Sequence, residues 1–258
     1  MTSWTIFRRA ILLVVDNLSA AIRITALPYA AFAGVSLWFA GTLDVATMAQ
    51  VEAGNGAEAL PPGVAVGILL TGLVQLVAFL WIAVAWHRYV LLREGGEGWV
   101  PALEGRLLLG YLGRSILIGL LVLAAFAIVA TAIAPFAPAM ALAIATIIGM
   151  VLTYRLGLIL PAGAVGRPMN VAEAWRATTG QSATVVLLAL MTFALSLLFQ
   201  LPALLDAPEA VEGAGEGLAA PGPIAVIYEL VVTWILLMLG VTLLSTLYGH
   251  FVEGRPVD

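Results

Sequence analysis

Few side chains in this sequence can do chemistry, and those few stand apart from one another in long apolar runs. Glu229 is the one acidic residue inside a run long enough to cross a bilayer, and it comes shortly after Pro223. A lone carboxylate at mid-bilayer costs roughly 3 kcal/mol on insertion scales, so it must face water, a partner or a bundle interior. Its functional reading is a proton or cation site; its plain reading is a carboxylate hydrated at the outer interface. Arg155 lies deep in another run, where it would recognise an anionic headgroup or substrate, or else snorkel past Tyr154 or pair with a carboxylate of a neighbouring helix end. Gln75 and Gln200 are the other polar side chains to weigh, and interhelical hydrogen bonding accounts for both. Together with Glu229 and Arg155 they are the lining candidates for a polar pathway. His87 and His250 stand at similar depths near the ends of two runs, the geometry of a bis-histidine haem. Both adjoin arginine or glycine at the expected water interface, so no cofactor is expected.

Catalytic constellations are missing from the sequence. There is no cysteine, which removes disulfides, thiolate metal sites and thiol nucleophiles. There is no His-Glu-x-x-His pair, no Gly-rich loop leading into Lys-Ser/Thr, no Gly-x-Ser-x-Gly, and no carboxylate cluster in a run that would hold a metal pair. We therefore expect neither an enzyme nor a metal site. Glu209, Glu212 and Glu216 sit in a Gly/Ala/Pro-rich stretch and read as a solvated acidic loop. The arginines are spread along what should be a membrane face, where anionic headgroups account for them, so nucleic acid is not an expected partner.

The elements that must carry these residues follow from composition. Of 258 residues, 62% are hydrophobic and 10% charged, against about 45–50% and about 25% in a soluble domain. Lipid is the solvent that tolerates this. Six apolar runs, near residues 25–43, 64–91, 112–134, 138–161, 183–205 and 223–250, are each about long enough to cross some 30 Å of hydrocarbon. The second and last exceed a perpendicular crossing, which implies tilt or overhang. All 11 basic residues are arginine. They fall in the N-terminal segment, in the loops after the second and fourth runs with their flanking helix ends, and in the C-terminal tail. The other three loops have none. By the positive-inside rule, both termini and the arginine-bearing loops are cytoplasmic. The expected fold is an all-α polytopic membrane bundle of six transmembrane helices forming one domain over 1–258. The absence of lysine beside abundant Ala, Gly and Pro reads as GC-rich coding, hence a bacterial inner membrane.

Over residues 1–23, Phe7, Ile11, Val14, Val15, Leu18 and Ile22 recur at helical spacing while Arg8, Arg9, Asp16, Ser19 and Arg23 take the other side. This predicts an amphipathic interfacial helix. A signal peptide is the competing reading, but its apolar core, Ala10 to Val15, is too short. A second interfacial helix should follow the fourth run, where Asn170 precedes Glu173 in capping-box spacing and Gly180 ends the segment. Leu156 to Val165, interrupted by Pro161, should lead into it. Aromatics beside basic or titratable groups recur at Trp86-His87-Arg88-Tyr89, Tyr154-Arg155 and Tyr248-Gly249-His250-Phe251, as an aromatic belt with snorkelling arginines requires. Ala141, Ala145 and Gly149 share one face and predict close packing against the third run.

The segment Arg155-Leu156-Gly157-Leu158-Ile159-Leu160-Pro161-Ala162, with Val171-Ala172-Glu173-Ala174-Trp175-Arg176-Ala177-Thr178-Thr179-Gly180, resembles bacterial six-helix inner-membrane proteins of the YciC type and the membrane domain preceding some glycerophosphodiester phosphodiesterases. Leu247-Tyr248-Gly249-His250-Phe251 is similar to the aromatic end of their last helix. Trp175 and the stretch Arg167 to Asn170 depart from the pattern. The resemblance covers about a third of the chain, and it implies a six-helix inner-membrane fold without supplying catalytic residues. The functional expectation is a non-catalytic accessory or organising component that associates with membrane lipids, anionic headgroups at the cytoplasmic face and other integral membrane proteins. The alternative is a small transporter or channel with Glu229 and Arg155 on its path.

Overall fold

The computed structural model describes residues 3–42, 62–205 and 223–256. The acidic loops expected at 44–62 and 206–222, with Glu209, Glu212 and Glu216, fall almost wholly outside the described residues. Among the described residues the chain forms nine helices: α1 (Ser3–Val15), α2 (Leu18–Ala40), α3 (Pro62–Leu92), α4 (Gly105–Ile133), α5 (Pro138–Leu156), α6 (Ile159–Ala164), α7 (Val171–Ala177), α8 (Ser182–Leu205) and α9 (Pro223–Phe251). Six segments, with α5 and α6 counted as one bent span, are long and apolar enough to cross a membrane.

The N-terminal segment differs from the single helix expected over 1–23. It breaks after Val15, because Asn17 turns its side-chain amide back to the Leu13 carbonyl at 2.9 Å while its own carbonyl accepts from Ala21 in the first turn of α2. Tyr89 of α3 holds that break by donating its hydroxyl to Asn17 Oδ1 at 2.9 Å. Ile6, Phe7 and Ala10 of α1 are buried, and α1 packs chiefly on α9 and α8. Leu18 onward already belongs to the first span.

α2 and α3 form one antiparallel hairpin and α4 and α5 another; α9 packs on α3, and α8 on α5. Pro138 opens α5 at a first-turn position where its missing N–H costs nothing. The small face of Ala141, Ala145 and Gly149 is buried, and a Cβ on Gly149 would stand 3.1 Å from Val122 of α4. That is the close approach its spacing predicts.

Buried positions crowd toward the arginine-bearing end. Every residue from Val241 to Gly249 of α9 is buried, whereas the first turns of α9 are largely exposed. Tyr154 to Val165 is likewise buried throughout. The stretch from Leu156 to Val165 leads on to α7 as expected, but it runs through the protein interior. It turns at Gly157 and fills the middle of that end, with α3, α4 and α9 around it. A helix apolar on every side belongs inside the protein, and α6 has no polar side chain with which to face water.

Candidate functional site

Trp86 and His87 are adjacent on α3, and both are fully buried. Trp86 Nε1 donates to Thr242 Oγ1 at 2.7 Å, and His87 Nδ1 lies 2.8 Å from Ser245 Oγ. Thr242 and Ser245 lie one turn apart on α9, so one face of that helix meets both rings. On the far side of the imidazole, Nε2 lies 3.1 Å from the Tyr111 hydroxyl of α4. Ser245 spends its own proton on the Val241 carbonyl at 3.0 Å. It must therefore accept from His87 Nδ1–H, which makes Nε2 the acceptor for the Tyr111 hydroxyl. Three spans are joined through one ring.

His87 is thus enclosed by protein and does not face water. The α3 helix does run on to Leu92, but α6 and α9 pack beside its last turns and leave His87 inside. With both nitrogens engaged, His87 has none left for a haem iron. His250 is spent differently, its Nδ1 lying 3.1 Å from the Arg255 carbonyl. Among the described residues no group of three His, Asp or Glu side chains is placed to hold a metal ion.

Tyr111 also lines a groove of about 470 Å3 between α3, α4 and α9. Gln75 and Ser115 are its other polar residues, and Phe79, Leu237 and Val241 form much of its wall. Arg155 is held elsewhere. Its guanidinium is buried, donates to Ser182 Oγ at the start of α8, and stacks 4.6 Å from the centre of the Trp175 ring. Trp175 is fixed by α7, whose N-terminus carries the expected capping box: Glu173 N–H donates to Asn170 Oδ1 at 2.9 Å, and Asn170 N–H to Glu173 Oε2 at 2.7 Å. The arginine thus ties α5 to α7 and α8.

Glu229 is exposed near the start of α9 and has no ion-pair partner among the described residues. Its neighbour Leu230 is the one held, accepting the Tyr29 hydroxyl through its carbonyl. Gln200 is exposed toward the end of α8. The four pathway candidates are therefore not gathered: Gln75 lines the groove, Arg155 is in its clasp, and Glu229 and Gln200 are on outer surfaces. The sequence reading put Trp86 in an aromatic belt, whereas it is fully buried, and it missed Tyr111, Thr242 and Ser245. Its available signal was the hydroxyl run Thr242, Ser245, Thr246 at helical spacing in an otherwise apolar span.

Ion pairs gather at the arginine-bearing end. Arg88 meets Glu94 and, at 3.4 Å, Glu104; Glu253 takes Arg255 at 2.7 Å and Arg167 at 3.3 Å. The Arg88 pairs are partly exposed and of modest worth, while Glu253 is mostly buried beneath its two arginines; all hold loops to helix ends.

The architecture and its apolar spans define an all-helical, multi-pass membrane protein. No protein-family model, no curated protein and no solved structure matches the chain.

Proposed function

We propose that this protein is a non-catalytic component of a bacterial inner membrane, with both termini in the cytoplasm, and that it works by docking a transmembrane helix of another integral membrane protein. The observation that carries this is the uneven burial of its spans. In α4 only 6% of the most apolar stretch is buried, against 22–39% in the other five spans. Lipid tolerates apolar exposure everywhere, so exposure by itself identifies no partner. α4 packs on α5, α6 and α3, yet most of its length is left outside those contacts, and membrane helices associate through such packing.

Leu109, Ile116, Leu120 and Leu123, at heptad-like spacing, project from one face of α4 with 53–70% exposure. That row suits knobs-into-holes contact with a further helix. The interior polar side chains support the same reading, since Trp86, His87, Tyr111 and Arg155 are consumed in holding spans together. Arginines facing the cytoplasmic leaflet would add attraction to anionic headgroups. A transporter reading finds less support, because Glu229, Arg155, Gln75 and Gln200 share no common path.

The test is a photo-crosslinking amino acid at Leu120, in native membranes at endogenous expression, with Gln200 as the control position. A discrete adduct to a different membrane protein, from Leu120 and not Gln200, is the expected result. Adducts to lipid alone, or to a second copy of this chain, would overturn the proposal.

A further inference from the structure

At the arginine-bearing end, the last turns of α3 and α9, the tail after α9 and one side of α1 surround a small pocket of about 80 Å3. Arg9, Arg93, Arg255 and His250 form its charged and titratable walls, Ser245 and Thr246 bring hydroxyls to it, and no acidic residue lines it. Arg255 is paired with Glu253, so Arg9 and Arg93 bring positive charge to the pocket that no carboxylate among the described residues meets. Helix C-termini attract arginines too, but that accounts for Arg255 alone, whose guanidinium donates to the Leu91 carbonyl at 2.7 Å. Among the described residues Arg9 and Arg93 make no ion pair and cap no carbonyl. Glu253 is already shared by Arg255 and Arg167, and Glu94 is taken by Arg88.

The backbone adds a second argument. Arg93 ends α3 with φ at 60°, a left-handed conformation that glycine or asparagine adopts with less strain. Gly95, just beyond, takes a similar positive φ with open space around its Cβ position, so the loop uses glycine where backbone geometry alone matters. An arginine at this position has a side chain with a task.

We propose that this pocket binds a phosphate group, either that of an anionic lipid headgroup at the membrane surface or free inorganic phosphate. Guanidinium groups suit it because each presents paired N–H donors to phosphate oxygens. The pocket lies where α3 and α9 leave the apolar region, so a headgroup would reach it from the leaflet and a soluble anion from the water. The site is built from α1, α3 and α9, and stands or falls apart from docking at α4.

The experiment uses the full chain in phosphatidylcholine nanodiscs and follows thermal stability during phosphate titration, then repeats the melt with phosphatidylglycerol in the bilayer. Wild type should be stabilised by one of the two. Arg93→Gly relieves the strained backbone and so should fold at least as well, yet weaken the stabilising ligand by about tenfold or more. Arg106→Gln, an exposed arginine at the same end but outside the pocket, should leave it unchanged. Stabilisation by phosphate in phosphatidylcholine alone identifies free phosphate as ligand; stabilisation by phosphatidylglycerol alone identifies the headgroup. No stabilisation by either, or equal weakening by Arg93→Gly and Arg106→Gln, would overturn the site, the latter leaving only diffuse surface charge.

Discussion

Removing the His87 imidazole takes away two interhelical hydrogen bonds at once and leaves the buried Tyr111 hydroxyl without its partner, while Ser245 keeps its bond to the Val241 carbonyl. An orphaned buried polar group costs about 1–3 kcal/mol, so His87→Ala should lower stability by at least that much. Ser245→Ala keeps the Tyr111 bond but orphans the buried His87 Nδ1–H, so it should cost about 1–3 kcal/mol, less than His87→Ala, which also opens a cavity. Denaturation of the purified variants in mild detergent checks the order, and equal losses would mean that the imidazole does not join the two partners. The sequence did not betray this cluster. His87 precedes Arg88 near the end of an apolar run, which reads as a water interface, and only packing shows which face α9 covers. Thr242, Ser245 and Thr246 each donate to a carbonyl of their own helix, at Met238, Val241 and Thr242. Because such residues can satisfy themselves, their spacing alone does not announce a partner.

At the scale of elements, what was legible is what is local. The capping box of α7 needs only Asn170 and Glu173 three residues apart, and it forms as read. The path of α6 was not legible, because Leu156 to Val165 is equally apolar whether it lies along the membrane surface or enters the bundle. Gly157 permits the entry. A Cβ there would collide with the Thr153 carbonyl oxygen and stand 2.9 Å from Leu244 Cδ2, and the former is backbone that cannot swing aside. Gly157→Ala should therefore destabilise by about 1–3 kcal/mol, the range for overpacked cores. Gly119→Ala, in the middle of α4 with nothing near its Cβ position, should be neutral or gain up to about 1 kcal/mol. Melting curves of the two variants beside wild type test the contrast; a Gly157→Ala protein as stable as wild type would show that the turn into α6 is not constrained there.

For the whole molecule, the six spans were legible because hydropathy and length are sums over neighbours in sequence, indifferent to packing. That the bundle is tight at one end and open at the other was not, since helices as uniformly apolar as α3 and α9 carry no stripe to say which side faces inward. The arginines supply the asymmetry that apolar residues lack: the tight end is the end that carries the loop with Arg93 and the tail with Arg255. If positive charge sets orientation, that end is cytoplasmic and the α4–α5 turn faces the opposite side. The absence of native cysteine makes the point testable with single introduced thiols. Phe136 in the α4–α5 turn is 87% exposed, and Glu97 in the α3–α4 loop is exposed as well, so neither replacement disturbs packing. Phe136→Cys should react with a membrane-impermeant maleimide in intact spheroplasts, and Glu97→Cys only after the membrane is permeabilised. The reverse pattern would invert the topology and, with it, carry the basic pocket of Arg9, Arg93 and Arg255 to the outer leaflet, where a cytoplasmic source of phosphate could no longer reach it.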